Sequence, residues 1–283
     1  MFKNHHLKFV YFLYLFLFLI IVFLVFIFFQ KPSLDRNWSL DQKILAQSSF
    51  SGNIVSIKNI RDFSYETSDK YEVSYYDKSY NLDEISSVYY IIEPFSDYDG
   101  PAHTMLTFGF SNGDYLTISA EIRKEVGESF SAFWGILNKY EMVYIIGDEN
   151  DLIKLRANYR KDDVIMYPVN TSKEKMKTLF VSMLERANKL AEKPEFYNTI
   201  TNNCTTSILQ HVNILRQGNN ENQISWSKEA LLPSHSDKIA YDLGLINTKL
   251  SLEEAREYYK INELSEKYGN DEKYSELIRK EKK

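Results

Sequence analysis

The stretch His103-Thr104-Met105-Leu106-Thr107-Phe108-Gly109-Phe110, then Ser111-Asn112-Gly113-Asp114, then Tyr115-Leu116-Thr117-Ile118-Ser119-Ala120-Glu121-Ile122-Arg123 decides the fold. Both flanks alternate in polarity, as strands with one buried face do. Thr104, Leu106, Phe108 and Phe110 hold the even positions of the first flank, and Leu116, Ile118, Ala120 and Ile122 those of the second. Even positions are therefore the core face of both strands. Directly opposed residues of an antiparallel pair share a face, so their two numbers must sum to an even number. A two-residue Asn112-Gly113 turn pairs Ser111 with Asp114, sums to 225 and sets apolar residues against polar ones. A three-residue Ser111-Asn112-Gly113 loop, a type I turn with Gly113 in the left-handed position, pairs Phe110 with Asp114 and sums to 224. A one-residue slip would turn every side chain over, so the apolar pattern selects 224. In that register His103 faces Glu121, Met105 faces Ser119 and Thr107 faces Thr117. A carboxylate opposite an imidazole can accept a hydrogen bond from one ring nitrogen and raise the basicity of the other. A plain cross-strand ion pair at a sheet surface fits these two residues equally well.

Outward from this hairpin, Asn53–Ile60, Val88–Ile92 and Met142–Ile146 read as further strands. Ser172–Ala191 reads as an amphipathic helix capped by Ser172, with Met176, Leu179, Phe180, Met183, Leu184, Ala187 and Leu190 in one stripe. A second helix starts near Cys204, carries Ile208, Leu209, Val212 and Leu215, and stops at Gly218-Asn219-Asn220. Strands followed by helices predict an α+β domain, an antiparallel sheet with packed helices.

Cys204 is the single cysteine, so no intrachain disulfide is possible. A single cysteine is most often a small buried hydrophobe. Its setting, Thr201-Asn202-Asn203-Cys204-Thr205-Thr206, puts it in the first turn of a helix behind good cap residues. Free amides and the positive end of the helix dipole favour a thiolate there and can hold an oxyanion. Thiol, imidazole and carboxylate are the parts of nucleophilic acyl transfer. His5 and His6 precede the apolar N-terminal run. His211 lies seven positions along the same helix, about 10 Å away, and reads as a helix-surface residue. His235, in a loop, is the rival to His103. The cysteine and histidines show no metal-ligand spacing, and neither a metal nor a cofactor is expected.

Phe9–Phe29 is an unbroken uncharged run of 21 residues, about 31 Å as a helix, close to the hydrocarbon thickness of a bilayer. No small-residue cleavage site follows, so the run is expected to be an uncleaved signal anchor. The expected organisation is a short segment 1–8, the transmembrane anchor 9–29, a connector 30–50, a thiol-enzyme domain 51–248 and a charged helical tail 249–283. The tail's charge marks it as a solvated appendage. A net charge of −5 gives no concentrated basic face for nucleic acid.

The chain resembles the bacterial family known as the Lnb N-terminal periplasmic domain. The resemblance is carried by Asn59-Ile60-Arg61-Asp62-Phe63-Ser64-Tyr65, Ala102-His103-Thr104, Ser119-Ala120-Glu121-Ile122-Arg123 and Tyr140-Glu141. It continues through Asp148-Glu149-Asn150-Asp151-Leu152-Ile153, Leu155-Arg156, Phe196-Tyr197-Asn198-Thr199 and Asn202-Asn203-Cys204-Thr205-Thr206. The resemblance implies a permuted papain-like, NlpC/P60-type architecture with Cys204 as nucleophile, His103 as base and Glu121 as the orienting residue. It implies that Asn203, Tyr197, Arg123 and Arg156 line or support the pocket. It also implies an inner-membrane protein with its soluble domain in the periplasm, acting on lipoprotein acyl chains. The family's transacylases carry further membrane spans where this chain has the charged segment Leu250–Lys283.

The function expected is thus a membrane-anchored cysteine acyltransferase or hydrolase working through a Cys204 thioester. Its partners would be the lipid bilayer and a lipoprotein or other acyl or amide substrate. A cell-wall amidase or peptidase of the same fold is one alternative. A non-catalytic membrane-held binding domain, with Cys204 a structural thiol, is the other.

Overall fold

The computed structural model describes residues 2–95, 101–225 and 233–280. Residue 1 of the N-terminal segment and 281–283 of the tail lie outside these. The chain opens with helix α1 (Phe2–Phe28), and described apolar side chains such as Phe9, Phe12 and Tyr14 stand about two-thirds exposed. Among the fully described residues no helix is long and apolar enough to cross a membrane. Residues 1–7, 24, 26 and 28 fall outside that set.

Helix α2 (Leu40–Lys43) precedes strands β1 (Gln47–Ser51), β2 (Ile54–Arg61), β3 (Ser64–Tyr65), β4 (Tyr71–Glu72), β5 (Tyr75–Asn81), β6 (Ile85–Pro94), β7 (Ala102–Phe110) and β8 (Tyr115–Arg123). Then come α3 (Ala132–Ile136), β9 (Glu141–Asp148), α4 (Glu149–Lys154), a π-helical turn Leu155–Arg160 and β10 (Ile165–Pro168). Helices α5 (Lys173–Glu192), α6 (Cys204–Gly218), α7 (Ser236–Asp242), α8 (Leu252–Tyr258), α9 (Asn262–Tyr268) and α10 (Tyr274–Leu277) complete it. The main sheet runs β1-β2-β9-β8-β7-β6-β10, with β5 also on β2. Every named pairing is antiparallel except β2 with β9, which meet in parallel at Arg61 and Gly147. The molecule is an α+β domain with a mostly antiparallel sheet and packed helices.

The hairpin register is the one the apolar pattern selects. Met105 pairs with Ser119, Leu106 with Ile118 and Thr107 with Thr117. The loop closes through Phe110 N–H to Asp114 O at 2.9 Å and Gly113 N–H to Phe110 O at 3.0 Å, with Gly113 at φ +91°. A side chain is rarely tolerated at that φ, which is why glycine stands there. In β2 the alternation of Val55 and Ile57 breaks at Asn59, whose φ of +58° marks an irregularity that turns Ile60 back into the core.

Both faces of the sheet are covered. The even face, with Leu106, Phe108, Leu116 and Ile118, packs against Leu179, Phe180, Met183 and Leu184 of α5 and Ile208 of α6. The odd face packs Ile91 and Met105 against Ile153 and Ala157, and against Ile261, Tyr274 and Ile278 of the tail. The tail is therefore no solvated appendage. Its surface charges hide apolar residues, and Tyr274 and Ile278 are almost fully buried. The connector also joins the domain. Gln42 of α2 is 1% exposed, and Arg123 sits over the Trp38 ring at 4.2 Å while donating to Gln42 O and Lys43 O.

Candidate active site

Two-sided cover buries nearly every residue of the central hairpin. His103 on β7 and Glu121 on β8 are exceptions, at 13% and 17% side-chain exposure. They open into a cleft of about 350 Å³ at the end of the strands, where residues of both faces meet. Its walls include Cys204, His103, Glu121, Tyr197, Arg156 and Glu93. Segments distant in sequence are thus brought together, and five of the seven singled-out residues, Cys204, His103, Glu121, Tyr197 and Arg156, line the cleft. Arg123 and Asn203 act behind the wall, the first on the connector and the second at the helix start.

Cys204 is the first residue of α6 because Asn203 caps that helix. The Asn203 side chain accepts from Thr206 N–H at 2.9 Å, and Thr206 Oγ1 accepts from Asn203 N–H at 2.8 Å, a reciprocal capping box. Asn203 Nδ2 also donates to Thr199 O at 2.7 Å, which ties the preceding loop to the cap. Cys204 is 5% exposed, and its sulfur has Thr205 Oγ1 at 3.9 Å. Burial pushes the thiol above its ordinary value, against smaller opposing hydrogen bonds from Thr104 and Thr205. The helix start does not produce a resting thiolate here.

His103 belongs to the odd face. Its Nε2 lies 2.6 Å from Ser119 Oγ, and Ser119 Oγ donates to Glu121 Oε1 at 2.8 Å. The direct His103 Nε2 to Glu121 Oε1 distance is 3.7 Å, so the expected facing pair is present but communicates through a serine. Among the described residues no hydrogen bond joins the Cys204 sulfur to the His103 ring. Burial and then Arg156 push His103 down to about 3, so the imidazole is neutral. Burial would raise Glu121, but Arg156, His103 and Arg61 outweigh it and hold the carboxyl well below its usual range.

Arg156, in the π-helical turn, donates Nη2 to Glu121 Oε1 at 2.8 Å and Nε to Glu93 Oε2 at 2.7 Å. Gln42 Nε2 reaches Glu121 Oε2 at 3.3 Å. Behind them Arg61 is bound through two nitrogens to Asp151, which also accepts from Phe63 N–H and Tyr65 OH. Tyr197 is 7% exposed, and burial raises its phenol, with Cys204 adding to the rise. Ser119, Glu93 and Gln42 were not among the expected site residues. The register itself held a signal for Ser119, which shares the odd face with Glu121 two positions away.

His211 is a correction. It is 4% exposed rather than on the helix surface, held between Tyr144 OH at 3.0 Å and Ser182 Oγ at 2.7 Å. It lies away from the cleft and faces α5 and β9. Its partners came from elements whose packing the helix pattern alone does not reveal. His235, in the turn Pro233–His235, does not line the cleft. Among the described residues no cluster of histidine, cysteine and carboxylates could hold a metal ion.

No curated protein and no solved structure matches the chain. A family model, the Lnb N-terminal periplasmic domain, matches residues 71–237, which span the hairpin, the π-helical turn and the Cys204 helix. That match covers more than half of the chain, and the protein therefore belongs to the Lnb N-terminal periplasmic domain family.

Proposed function

We propose that this protein is a membrane-anchored extracytoplasmic cysteine enzyme that transfers or hydrolyses acyl groups through a Cys204 thioester, on a permuted papain-like fold. The observation that carries the reading is the shared cleft, where a helix-start thiol, an oriented imidazole and an ionised carboxylate converge. Both reacting groups are neutral at rest, so His103 acts as a general base during attack. The sulfur bonds to the carbonyl carbon of an ester as its proton passes to the imidazole. The tetrahedral oxyanion collapses, the carbon–oxygen bond breaks, and the imidazolium returns the proton to the departing alkoxide. An amine or water then attacks the thioester, gives its proton to His103, and the thiol leaves with that proton. Free amides of the first turn of α6 can hold the oxyanion. The sulfur and ring are not hydrogen-bonded at rest, so the pair closes when substrate is seated, as catalytic contacts in empty sites often do.

Two features favour acyl chains at a membrane over peptides. An apolar cavity begins one residue along α6 from Cys204, lined by Thr205, Val88, Leu106, Ile208, Val212 and Ile246. Its free volume is about 100 Å³, below the ~150 Å³ that admits a benzene ring, so it has room for a few carbons at most, and none of its described lining residues is shared with the cleft. Helix α1 carries the apolar run and extends roughly 40 Å at 1.5 Å per residue, enough to anchor the domain beside lipid. The family description gives the extracytoplasmic side.

The test is intact-mass analysis of lipoproteins from cells carrying the wild-type chain or Cys204→Ser. Loss of an acyl rearrangement in the variant is the expected result. An unchanged pattern removes the lipoprotein substrate. Purified protein treated with p-nitrophenyl butyrate should gain a hydroxylamine-labile butyryl mass on Cys204. A second reading has its own observation: a buried thiol with no bond to the imidazole suits a structural residue of a non-catalytic binding domain. Absence of that mass gain would favour it, and a gain only with peptide-like amides would favour a cell-wall amidase.

A further inference from the structure

We propose that Ser119 is a positioning residue that couples His103 to Glu121 and fixes the imidazole in its Nε2–H form, leaving Nδ1 as the proton acceptor. The inference rests on reading His103 as the base for Cys204, and it adds a residue which that reading does not contain.

The argument is one of proton counting. Glu121 is held ionised by Arg156, whose Nη2 lies 2.8 Å from Oε1, and an ionised carboxylate only accepts. A serine hydroxyl has one proton. Ser119 Oγ lies 2.8 Å from Glu121 Oε1, so that proton goes to the carboxylate. The remaining contact of the oxygen, His103 Nε2 at 2.6 Å, must then be one in which the ring donates. A neutral imidazole carries one N–H, so Nδ1 holds the lone pair. Among the described residues Nδ1 has no hydrogen-bond partner, and the ring lines the cleft that Cys204 shares.

The fold explains why a relay is needed. His103 and Glu121 lie just past the last paired residues of the hairpin, Met105 and Ser119, and Arg156 draws the carboxylate toward Glu93, which pairs with His103 from the other side on β6. The direct gap grows to 3.7 Å, beyond a hydrogen bond. Ser119 is two residues back on the same face and completely buried, so its hydroxyl fills the gap and water does not compete. The charged groups facing the ring are Glu121, Glu93, Arg156 and Arg160. Deleting the hydroxyl leaves Nε2–H without a partner and removes the preference between the two tautomers.

The experiment is ring ¹⁵N NMR on the full chain in detergent micelles, uniformly labelled at histidine, with the His103 signals assigned by their loss in His103→Gln. The wild type should show one Nε2–H tautomer at pH 7. Ser119→Ala should give a mixture of tautomers, and Ser119→Thr, which keeps the hydroxyl, should restore the single form. Acylation of Cys204 by p-nitrophenyl butyrate should slow about 100-fold in Ser119→Ala, the scale of general-base catalysis. An Nδ1–H tautomer in the wild type overturns the proposal, and it needs no variant to fold. A tautomer unchanged in Ser119→Ala overturns it as well. Tautomer control by Ser119 with no Cys204 acylation in any form upholds the relay and defeats the thiol-enzyme reading, so the two failures are distinguishable.

Discussion

Arg156 is shared by two carboxyls, Glu121 in the cleft wall and the buried Glu93, that it leaves in different states. Glu121 takes a guanidinium nitrogen, the Ser119 proton and the Gln42 amide, and stays ionised. Glu93 is completely buried and receives Arg156 Nε on Oε2, but its Oε1 has no hydrogen-bond partner among the described residues. Arg160 stands 3.7 Å from that oxygen, too far to satisfy it. Burial, with the nearby Asp162 carboxyl adding to it, outweighs both arginines and pushes Glu93 up to about 7. The sign follows. Between its unfolded value of 4.5 and its folded value of about 7, the folded state holds a proton that the unfolded state has lost. Stability from this group is thus full below the unfolded value and fades as pH rises through 7. Glu93→Gln keeps the acceptor for Arg156 and cannot ionise. Relative to the variant, the wild type should lose roughly 3 kcal/mol of stability between pH 4.5 and 8. Urea denaturation of both proteins at those two pH values measures it. A difference that does not change with pH would mean that Glu93 is ionised throughout and fully paired.

At the scale of elements, the start of α6 sets where the sulfur lies. The Asn203 side chain makes two bonds there, accepting from Thr206 N–H and donating to Thr199 O, its backbone N–H completes the capping box with Thr206 Oγ1, and the residue is 2% exposed. Asn203→Ala should cost about 1–2 kcal/mol in urea denaturation and loosen the turn that carries Cys204. A cost within a few tenths of a kcal/mol would show that sheet packing, not the cap, fixes the helix start. A cap at this point was legible in the sequence because capping is local, though Thr201, Asn202 and Asn203 all qualified for it, and so was the β7–β8 hairpin, where alternation and one loop fix the register. Other elements were not. Strand β5, which pairs with β2, carries little apolar alternation, and β10 is four residues long. The π-helical turn that aims Arg156 has no propensity signature, because an i→i+5 turn is stabilised by what its side chains reach. For the site, His103, Glu121 and Cys204 could be nominated from spacing, whereas the Ser119 bridge depends on where Arg156 pulls the carboxylate.

The whole molecule is a sheet that must be covered twice, and the second cover is the segment whose composition disguised it. Charged residues dominate the tail sequence, but Ile261, just before α9, and Tyr274, Leu277 and Ile278, in and just after α10, are buried. They bury Ile91 and Met105, and Met105 shares its strand face with His103 two residues away. Arg279 completes the lock, reaching buried Glu149 at 2.7 Å and stacking on the rings of Tyr89 and Tyr115 at 4.3 and 3.8 Å. Ser265 and the Tyr274 hydroxyl bond each other at 2.6 Å inside this layer. Tyr274→Ala should cost about 3–4 kcal/mol, the usual loss for a buried aromatic ring. Ending the chain after Lys249 removes the tail's share of the odd-face cover, Ile261, Tyr274 and Ile278, so the shortened protein should not show the cooperative thermal transition of the full chain. Its Cys204 should lose reactivity toward p-nitrophenyl butyrate, because the layer behind His103 and Arg156 is gone. Calorimetry of the full and shortened chains decides the point. A shortened chain that melts at the same temperature, with its Cys204 acylated at the same rate, would mean that the tail covers the sheet without supporting the site. Loss of the transition in parallel with loss of acylation would tie the stability of the fold to the geometry of the cleft through the single layer formed by Ile261, Tyr274 and Ile278.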